Sequence, residues 1–211
     1  MIHPSLTTAI LSDSLDKVGL RAQVLAERLT CVVPGTRAVG RARTAQFLPA
    51  LDADPEHPYD DAIDFIDATA PGDLIVIATG QSNASAFWGE LFSAAAQGRG
   101  AVGMITDGNV RDSDKIQALG FGAFARGARP IDYRGRMAIA ATQKPVTIGG
   151  VVIAPGDLVM ADDDGTVVVP RAVEADVLAI ANARAAGESH VLRDLLSGVM
   201  LRQVWEMYGL L

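Results

Sequence analysis

An arginine and an aspartate stand side by side at the end of the stretch Asp107-Gly-Asn-Val-Arg-Asp112, between an apolar run and a helical pattern. A helix N-terminus offers free backbone N–H groups and a partial positive charge, which favour a bound carboxylate. Arg111 can grip such a carboxylate through two parallel hydrogen bonds, and Asp112 can bind Mg²⁺ or Mn²⁺. The pair is therefore a candidate site for chemistry on a small acid. The alternative, an ordinary arginine beside a helix-capping aspartate, stays open on this segment alone.

Two further features would have to bring these groups together. Adjacent residues of a strand point to opposite faces, so we predict a turn at Asp107-Gly108 before the helix that starts at Ser113. Glu90 is a second candidate, at the start of the helix that follows the predicted strand 74–78. If the sheet is parallel, both helix starts lie at the carboxyl ends of strands, where open α/β sheets bind ligands. Glu90 would then hold a metal-bound water or relay a proton; the alternative is an acidic residue in a first helical turn.

Other kinds of chemistry lack their residues in this chain. The lysines are Lys17, Lys115 and Lys144, and none lies in an apolar strand that would depress its pKa, which disfavours a Schiff-base mechanism. We find no Gly-x-Ser-x-Gly elbow, Walker-type loop or dinucleotide fingerprint. The 3 histidines are far apart, and the acidic segment 162–165 is typical of a hairpin turn rather than of a metal site. Divalent-metal chemistry is the better fit.

The composition is that of a folded protein without a nucleic-acid surface. The chain has 211 residues, 49% hydrophobic and 20% charged, with a formal net charge of −7. It has no Lys/Arg cluster of the kind that neutralises phosphates, so we expect no nucleic-acid partner. Cys31 is the single cysteine, which excludes an intrachain disulfide. We recognise no signal peptide and no run of about 18 apolar residues, so we expect a cytoplasmic protein without a membrane partner.

The hydrophobic pattern predicts an α/β fold. The predicted helices are 5–19, 62–68, 90–97 and 113–119, and the predicted strands are 29–33, 40–47, 74–78, 101–106 and 122–126. Alternation of strand and helix in the central third is typical of parallel α/β units. Short strands at 145–148, 151–153, 158–161 and 167–169 predict a β meander. We expect an α/β domain over 1–170 and a C-terminal helical arm over 171–211, at a subunit interface.

These residues resemble the RraA-like family, which includes the 4-hydroxy-4-methyl-2-oxoglutarate / 4-carboxy-4-hydroxy-2-oxoadipate aldolases. The most specific part is an acidic residue, Glu90, at the family's spacing before Arg111-Asp112, and the likeness spans 12–211. Supporting matches are Phe124-Ala-Arg-Gly, Pro145-Val, Gly150-Val-Val-Ile-Ala-Pro-Gly-Asp and Ala161-Asp-Asp-Asp-Gly-Thr-Val-Val-Val-Pro. The resemblance implies a layered α/β/β sandwich of the swivelling-domain type with a C-terminal helical extension, assembled as a homotrimer or a dimer of trimers.

The resemblance also implies a role for each candidate residue. Asp112 would be the direct protein ligand of Mg²⁺, or of Mn²⁺ or another divalent cation, with waters in most other positions. Arg111 would bind the pyruvyl part of the substrate and offset enolate charge, and Glu90 would hold a metal-bound water. Backbone contacts to the substrate would come from Gly89, Glu90, Leu91 and Phe92. Glu188, acting from the C-terminal helix of a neighbouring subunit, is the positional candidate for a further catalytic group.

The implied reaction is a metal-dependent retro-aldol cleavage of a small keto acid, a 4-hydroxy-2-oxo acid such as 4-hydroxy-4-methyl-2-oxoglutarate, to pyruvate. Oxaloacetate decarboxylation passes through the same pyruvate enolate and is the expected side activity. The alternative is a non-catalytic regulator that binds ribonuclease E, because the family also contains such regulators. The segment 171–211 favours the enzyme, since the regulators are shorter. A third family label, demethylmenaquinone methyltransferase, is disfavoured because no glycine-rich nucleoside-binding loop follows a first strand.

Overall fold

The computed structural model describes residues 2–50 and 56–210. The segment 49–61, whose Pro and Asp content predicts a surface loop, lies partly outside the described residues. The helices are α1 Thr8–Lys17, α2 Asp60–Asp67, α3 Glu90–Gly98, α4 Ser113–Leu119, α5 Glu174–Leu196 and α6 Leu201–Tyr208. The strands are β1 Thr30–Cys31, β2 Ala38–Pro49, β3 Asp73–Ala78, β4 Ala86–Trp88, β5 Gly103–Val110, β6 Ala123–Ala128, β7 Met137–Thr142, β8 Val146–Ile148, β9 Val151–Ile153, β10 Leu158–Ala161 and β11 Thr166–Val169.

A parallel core of strands runs through the main sheet. Its order is β1-β6-β5-β3-β2-β10-β11, with β4 paired to β5 and β7 paired to β2. The pairs β2–β3, β3–β5, β4–β5 and β5–β6 are parallel, whereas β1, β7, β10 and β11 pair antiparallel. The carboxyl ends of β4, β5 and β6 therefore meet at one edge of the sheet, as the prediction of parallel units requires.

The sheet is covered differently on its two faces. On one face, buried side chains of α2, α3 and α4, among them Phe65, Ala96 and Ile116, pack against Ile75, Ile77 and Met104 of the strands. On the other face, the β8–β9 hairpin contributes Val146, Ile148, Val151 and Ile153 to a second core cluster. The molecule is thus a three-layer α/β/β arrangement, and the predicted fold class is confirmed.

Two predictions about local structure are wrong. Asp107 and Gly108 form no turn; both lie inside β5, which continues to Val110 with an irregular register between Thr106 and Asn109. Gly108 is needed for packing instead, because a Cβ there would lie 2.6 Å from the Phe87 ring. The C-terminal strands form no simple meander either, since β8 and β9 form a separate sheet while β10 pairs with β2. Strands β4 and β7 were absent from the sequence prediction.

The acidic segment 162–165 is the predicted hairpin. It joins β10 to β11, and the backbone N–H of Asp162 donates to the carbonyl of Gly165. The Asp162 carboxylate is used for folding, because it accepts hydrogen bonds from the backbone N–H (2.9 Å) and the hydroxyl (2.6 Å) of Thr8 at the start of α1.

The C-terminal segment is helical, as predicted. α5 packs on the α1 and β10–β11 region through Val177, Ala181 and Ala185. Farther along α5 and on α6, large apolar side chains are exposed: Leu192, Leu196, Leu201, Trp205 and Met207. None of the helices in the described part of the chain is both long and apolar enough to cross a membrane. The division at residue 170 and the interface role of the arm stay predictions.

Candidate functional site

A pocket of about 340 Å³ opens at the sheet edge where β4, β5 and β6 end. It is lined by Tyr59, Ile63, Ala86, Phe87, Trp88, Gly89, Glu90, Leu91, Phe92, Arg111, Asp112, Asp132 and Tyr133. Three chain segments converge there because each follows one of these parallel strands: the start of α3 follows β4, the start of α4 follows β5, and a short loop follows β6. The pocket thus occupies the place where open α/β sheets bind ligands.

Arg111 lies at the centre of the polar side of this pocket. Its backbone N–H donates to the carbonyl of Trp88 (2.8 Å), which ties the end of β5 to the end of β4. One guanidinium nitrogen is 3.2 Å from the Asp132 carboxylate, and Nε is 3.7 Å from Oδ2 of Asp112. The Arg111 side chain is 39% exposed, so its remaining N–H groups stay accessible to an anion in the pocket.

Asp112 has a backbone conformation that residues other than glycine rarely adopt. Its φ of 55° and ψ of 40° place it in the left-handed region, which aspartate tolerates better than most residues. Asp112 precedes α4, yet its side chain makes no capping hydrogen bond, and its carboxylate is 40% exposed. The sequence alternative of a helix-capping aspartate therefore does not describe this carboxylate. Strained backbone of this kind tends to occur at ligand sites, where it aims a side chain.

Gly89 allows the Arg111-Asp112 pair to lie close against the start of α3. A Cβ on Gly89 would be 3.0 Å from Oδ2 of Asp112 and 3.1 Å from Cγ of Arg111. The Gly89 backbone is extended, with φ −162°, so close approach rather than an unusual dihedral accounts for the glycine. Gly89 is thus required for a close contact between the starts of α3 and α4.

Glu90 begins α3 and already has a partner. Its Oε2 is 3.0 Å from Nζ of Lys115 on α4, so an ion pair joins the two helices at the pocket rim. The hydrogen bond from Lys115 to Glu90 raises the pKa of the lysine, which keeps the amine protonated and unsuited to Schiff-base formation. Leu91 and Phe92 follow in the first turn of α3, where backbone N–H groups have no partner within a helix.

Among the pocket residues that were not predicted as site residues, Tyr59, Asp132 and Tyr133 carry a hydroxyl or a carboxylate. The Tyr59 hydroxyl donates to the Asp132 carboxylate, which also faces Arg111. The Tyr133 ring packs edge-to-face on Tyr59, with centroids 5.6 Å apart, and its buried hydroxyl has no hydrogen-bond partner among the described residues. Asp132 had a usable signal, because it follows the third parallel strand, β6. Tyr59 had a weaker signal, because it belongs to the loop 51–61 that is expected from the sequence to shape the distal pocket, but its contact with Asp132 depends on tertiary packing.

The pocket keeps Asp132 ionised and its tyrosines protonated. Burial acts to raise the pKa of Asp132, but hydrogen bonds from the Tyr59 hydroxyl and the Arg134 backbone, together with Arg111, bring it below its ordinary value. Burial, and then Asp132, raises the pKa of Tyr59. The same two causes raise the pKa of Tyr133 well above its ordinary value. Tyr59 and Tyr133 are therefore hydrogen-bond donors near neutral pH.

Glu188 is the one predicted site residue outside this pocket. It lies in α5, where its Oε1 is 2.9 Å from Nε of Arg184, and the same guanidinium binds Asp13 of α1. A role for Glu188 from a neighbouring subunit stays a prediction. The other candidates, Gly89, Glu90, Leu91, Phe92, Arg111 and Asp112, all line the pocket.

The residues present fit a largely hydrated divalent cation. Within 2–50 and 56–210, no group of three or more His, Cys, Asp or Glu side chains could enclose a metal. Mg²⁺ does not need such a group, because it commonly takes one or two carboxylates and keeps several waters. The Asp112 carboxylate, which is exposed and makes no capping hydrogen bond, would be the direct ligand, and Glu90, which lines the same pocket, would hold a coordinated water.

Comparisons with known proteins point to one family. The family model RraA-like, described as Aldolase/RraA, matches residues 8–168. The "Putative 4-hydroxy-4-methyl-2-oxoglutarate aldolase" of Halalkalibacterium halodurans is 31% identical over 201 residues, covering 93% of this chain and 88% of that protein. The crystal structure of RraAS2 from Streptomyces coelicolor, an unusual member of the RNase ES inhibitor RraA protein family, superposes with a TM-score of 0.75 at 26% identity, covering 92% of each chain.

A third relative is much longer than this chain. Protein DlpA of Legionella pneumophila is 29% identical over 201 residues, which are 95% of this chain but only 32% of that protein. The chain therefore spans about a third of one curated relative and nearly all of another.

Proposed function

Because the chain belongs to the RraA-like family, we propose that it is a divalent-metal-dependent aldolase that cleaves a 4-hydroxy-2-oxo acid to pyruvate. One observation carries the proposal: the Arg111 guanidinium and the Asp112 carboxylate lie together over Gly89, at the first turn of α3, and the carboxylate makes no helix-capping hydrogen bond. A cation, an oxygen ligand for a metal and free backbone N–H groups are the three components needed to hold a 2-oxo acid. The name of the Halalkalibacterium relative supports the same reaction class.

Arg111 would stabilise the charge that develops during cleavage. In a retro-aldol reaction the C3–C4 bond breaks, its electron pair stays with the pyruvyl fragment as an enolate, and the C4 hydroxyl loses its proton as C4 becomes a carbonyl. A guanidinium held between Asp132 and Asp112 is preorganised to meet that enolate charge without moving. When bound, a Mg²⁺ or Mn²⁺ ion would supply Lewis acidity at the keto oxygen. Oxaloacetate decarboxylation needs the same enolate stabilisation and is the proposed side activity.

The proton of the C4 hydroxyl needs an acceptor at the rim of the pocket. Glu90 lines the pocket and forms an ion pair with the protonated Lys115. A water molecule held by the Glu90 carboxylate is therefore the proposed proton acceptor. Asp132 is a poorer candidate for this role, because its hydrogen bonds lower its pKa and reduce its basicity. Glu188 enters the proposal only if a neighbouring subunit brings it to the pocket. A homotrimer or a dimer of trimers, formed partly by the exposed apolar side chains of α5 and α6, is proposed for that reason.

Pyruvate release from a panel of 4-hydroxy-2-oxo acids and oxaloacetate, with Mg²⁺ or Mn²⁺, tests this function. We expect turnover that a chelator abolishes and that Arg111→Ala loses. The matched control is Arg21→Ala, which removes an exposed arginine that does not line the pocket. Normal turnover in Asp112→Ala would exclude the proposed metal ligand.

A regulator of ribonuclease E is the second candidate function, favoured by the structural likeness to Streptomyces RraAS2. A regulator needs a protein-binding surface but no organised pocket chemistry. Binding to a ribonuclease of this class, without turnover of any 2-oxo acid in the presence of a divalent cation, would favour the regulator and contradict the aldolase.

A further inference from the structure

The pocket has a polar side and an apolar side. Arg111, Asp112 and Glu90 form the polar side, beside the first turn of α3. The rest of the lining is dominated by apolar and aromatic side chains: Tyr59, Ile63, Phe87, Trp88, Leu91, Phe92 and Tyr133. A substrate whose 2-oxo acid end is bound by Arg111 must therefore place its other end near this apolar side.

The aromatic rings on the apolar side of the pocket are well packed. The Tyr133 ring lies 5.1 Å from Phe47 and 5.6 Å from Tyr59, both edge-to-face, and is parallel to Phe87 with centroids 6.4 Å apart. Phe47, Phe87 and Tyr133 are all buried, so their side chains have few alternative conformations. Such a surface binds an apolar group through burial and dispersion. For a carboxylate it offers the Tyr133 hydroxyl, which has no partner among the described residues, but this is a neutral donor and supplies no counter-charge.

The charges around the pocket disfavour a second carboxylate on the substrate. Among the described lining residues, Arg111 is the single cation, against the carboxylates of Glu90, Asp112 and Asp132. Its guanidinium is already shared between Asp112 and Asp132.

Other basic side chains near the pocket do not change this balance, and the Lys115 ammonium at the rim is already paired with Glu90. Arg134 and Arg136 follow the β6 loop, but both are exposed and neither lines the pocket. A guanidinium nitrogen of Arg136 donates to the backbone carbonyl of Asp132 at 3.1 Å, which directs it to the chain rather than to the pocket.

We propose that the preferred substrate is a monocarboxylate: a 4-hydroxy-2-oxo acid with an uncharged alkyl or aryl group on C4. The products are then pyruvate and an uncharged aldehyde or ketone. The bond changes are those of the retro-aldol reaction, with the C3 carbanion equivalent receiving a solvent proton and no oxidant or reductant consumed. This inference rests on the proposed function and narrows its substrate class.

A matched pair of substrates tests the inference. 4-Hydroxy-4-methyl-2-oxoglutarate and 4-hydroxy-4-methyl-2-oxopentanoate differ by one carboxylate in place of a methyl group. Since a buried carboxylate without a counter-ion is strongly disfavoured, we expect kcat/KM to be at least about tenfold higher for the pentanoate. Two unreactive 2-oxo acids give a binding readout without cleavage: 4-methyl-2-oxopentanoate should inhibit more strongly than 2-oxoglutarate.

A substitution that introduces a positive charge at the apolar side of the pocket also tests the proposed preference for monocarboxylates. Ile63 of α2 lines the pocket but is 47% exposed, so Ile63→Lys places an ammonium at the rim without burying it. We expect the preference to shift toward the glutarate by up to about fivefold, the upper end of the range for a partly screened ion pair. Val152→Lys is the matched control, because Val152 is 60% exposed on β9, on the other face of the sheet, and should leave the preference unchanged.

Deuterium exchange at C3 of pyruvate tests the proposed aldolase function separately from the substrate preference. Pyruvate ends at C3, so it has no C4 substituent on which the apolar side could act. Exchange together with the expected preference supports the inference. Exchange together with equal turnover of both substrates, or a preference for the glutarate, overturns the inference and leaves the aldolase proposal standing. Absence of both exchange and cleavage in the presence of Mg²⁺ or Mn²⁺ overturns the aldolase proposal, and the substrate inference with it.

Discussion

Gly89→Ala is the substitution that most directly probes the geometry of the pocket. The new methyl group would lie 3.0 Å from Oδ2 of Asp112 and 3.1 Å from Cγ of Arg111. Ordinary contacts begin about 0.4 Å farther out, so one or both side chains must shift by roughly that distance. A misplacement of about 1 Å in an active site costs about a hundredfold, so we expect kcat/KM for pyruvate release to fall on the order of tenfold.

Stability should change little in the same variant. The extended Gly89 backbone accepts alanine, and the displaced side chains are partly exposed, so the melting temperature should stay near that of the wild type. Gly98→Ala is the matched control at the end of the same helix, where a Cβ would meet nothing within 4 Å. That control should keep full activity. Wild-type kcat/KM in Gly89→Ala would refute the claim that Arg111 and Asp112 act from the positions seen here.

Four further substitutions have distinct expected outcomes. Arg111→Lys keeps the charge but loses the two-pronged donor, so pyruvate release should fall about a hundredfold, as measured by steady-state kinetics. Asp112→Asn should abolish Mn²⁺ binding in calorimetric titration while the fold, followed by circular dichroism, is retained. Asp132→Asn should lower the free energy of unfolding at neutral pH. That difference should shrink as the pH falls through the lowered pKa of Asp132, below ~3.9, because a carboxylate with a depressed pKa stabilises only while ionised. Tyr133→Phe removes a buried hydroxyl that has no hydrogen-bond partner among the described residues, so denaturant unfolding should show no loss of stability.

The sequence predicted the position of the site better than its detailed form. Glu90, Arg111 and Asp112 converge because helix starts after parallel strands share one sheet edge, and alternation of strand and helix reveals that arrangement. The Asp107-Gly108 signal misled because a glycine required for contact with Phe87 looks the same in sequence as a glycine required for a turn. The buried Asp107 carboxylate instead accepts hydrogen bonds from Thr79 and Gln81, a long-range role that local pattern does not encode.

For a related reason, the sequence could not show which individual side chains form the apolar side of the pocket. Tyr59, Ile63 and Tyr133 come from segments on either side of the strands that carry the polar residues. Tyr133 packs on Phe47, Phe87 and Tyr59, and Ile63 lines the same pocket. In the sequence, a single aromatic or branched residue in such a segment looks the same as an ordinary core residue. Glu188 shows the complementary limit, because its proposed role depends on a neighbouring subunit rather than on the fold of one chain.

Deuterium incorporation at C3 of pyruvate, followed by proton NMR in D₂O with Mg²⁺, tests the central claim most directly. The claim is that Arg111 and Asp112 form a site that stabilises the pyruvate enolate. We expect exchange with the wild type and with Arg21→Ala, and none above background with Arg111→Ala or Asp112→Asn. Absence of exchange in the wild type, or undiminished exchange in Asp112→Asn, would contradict the account.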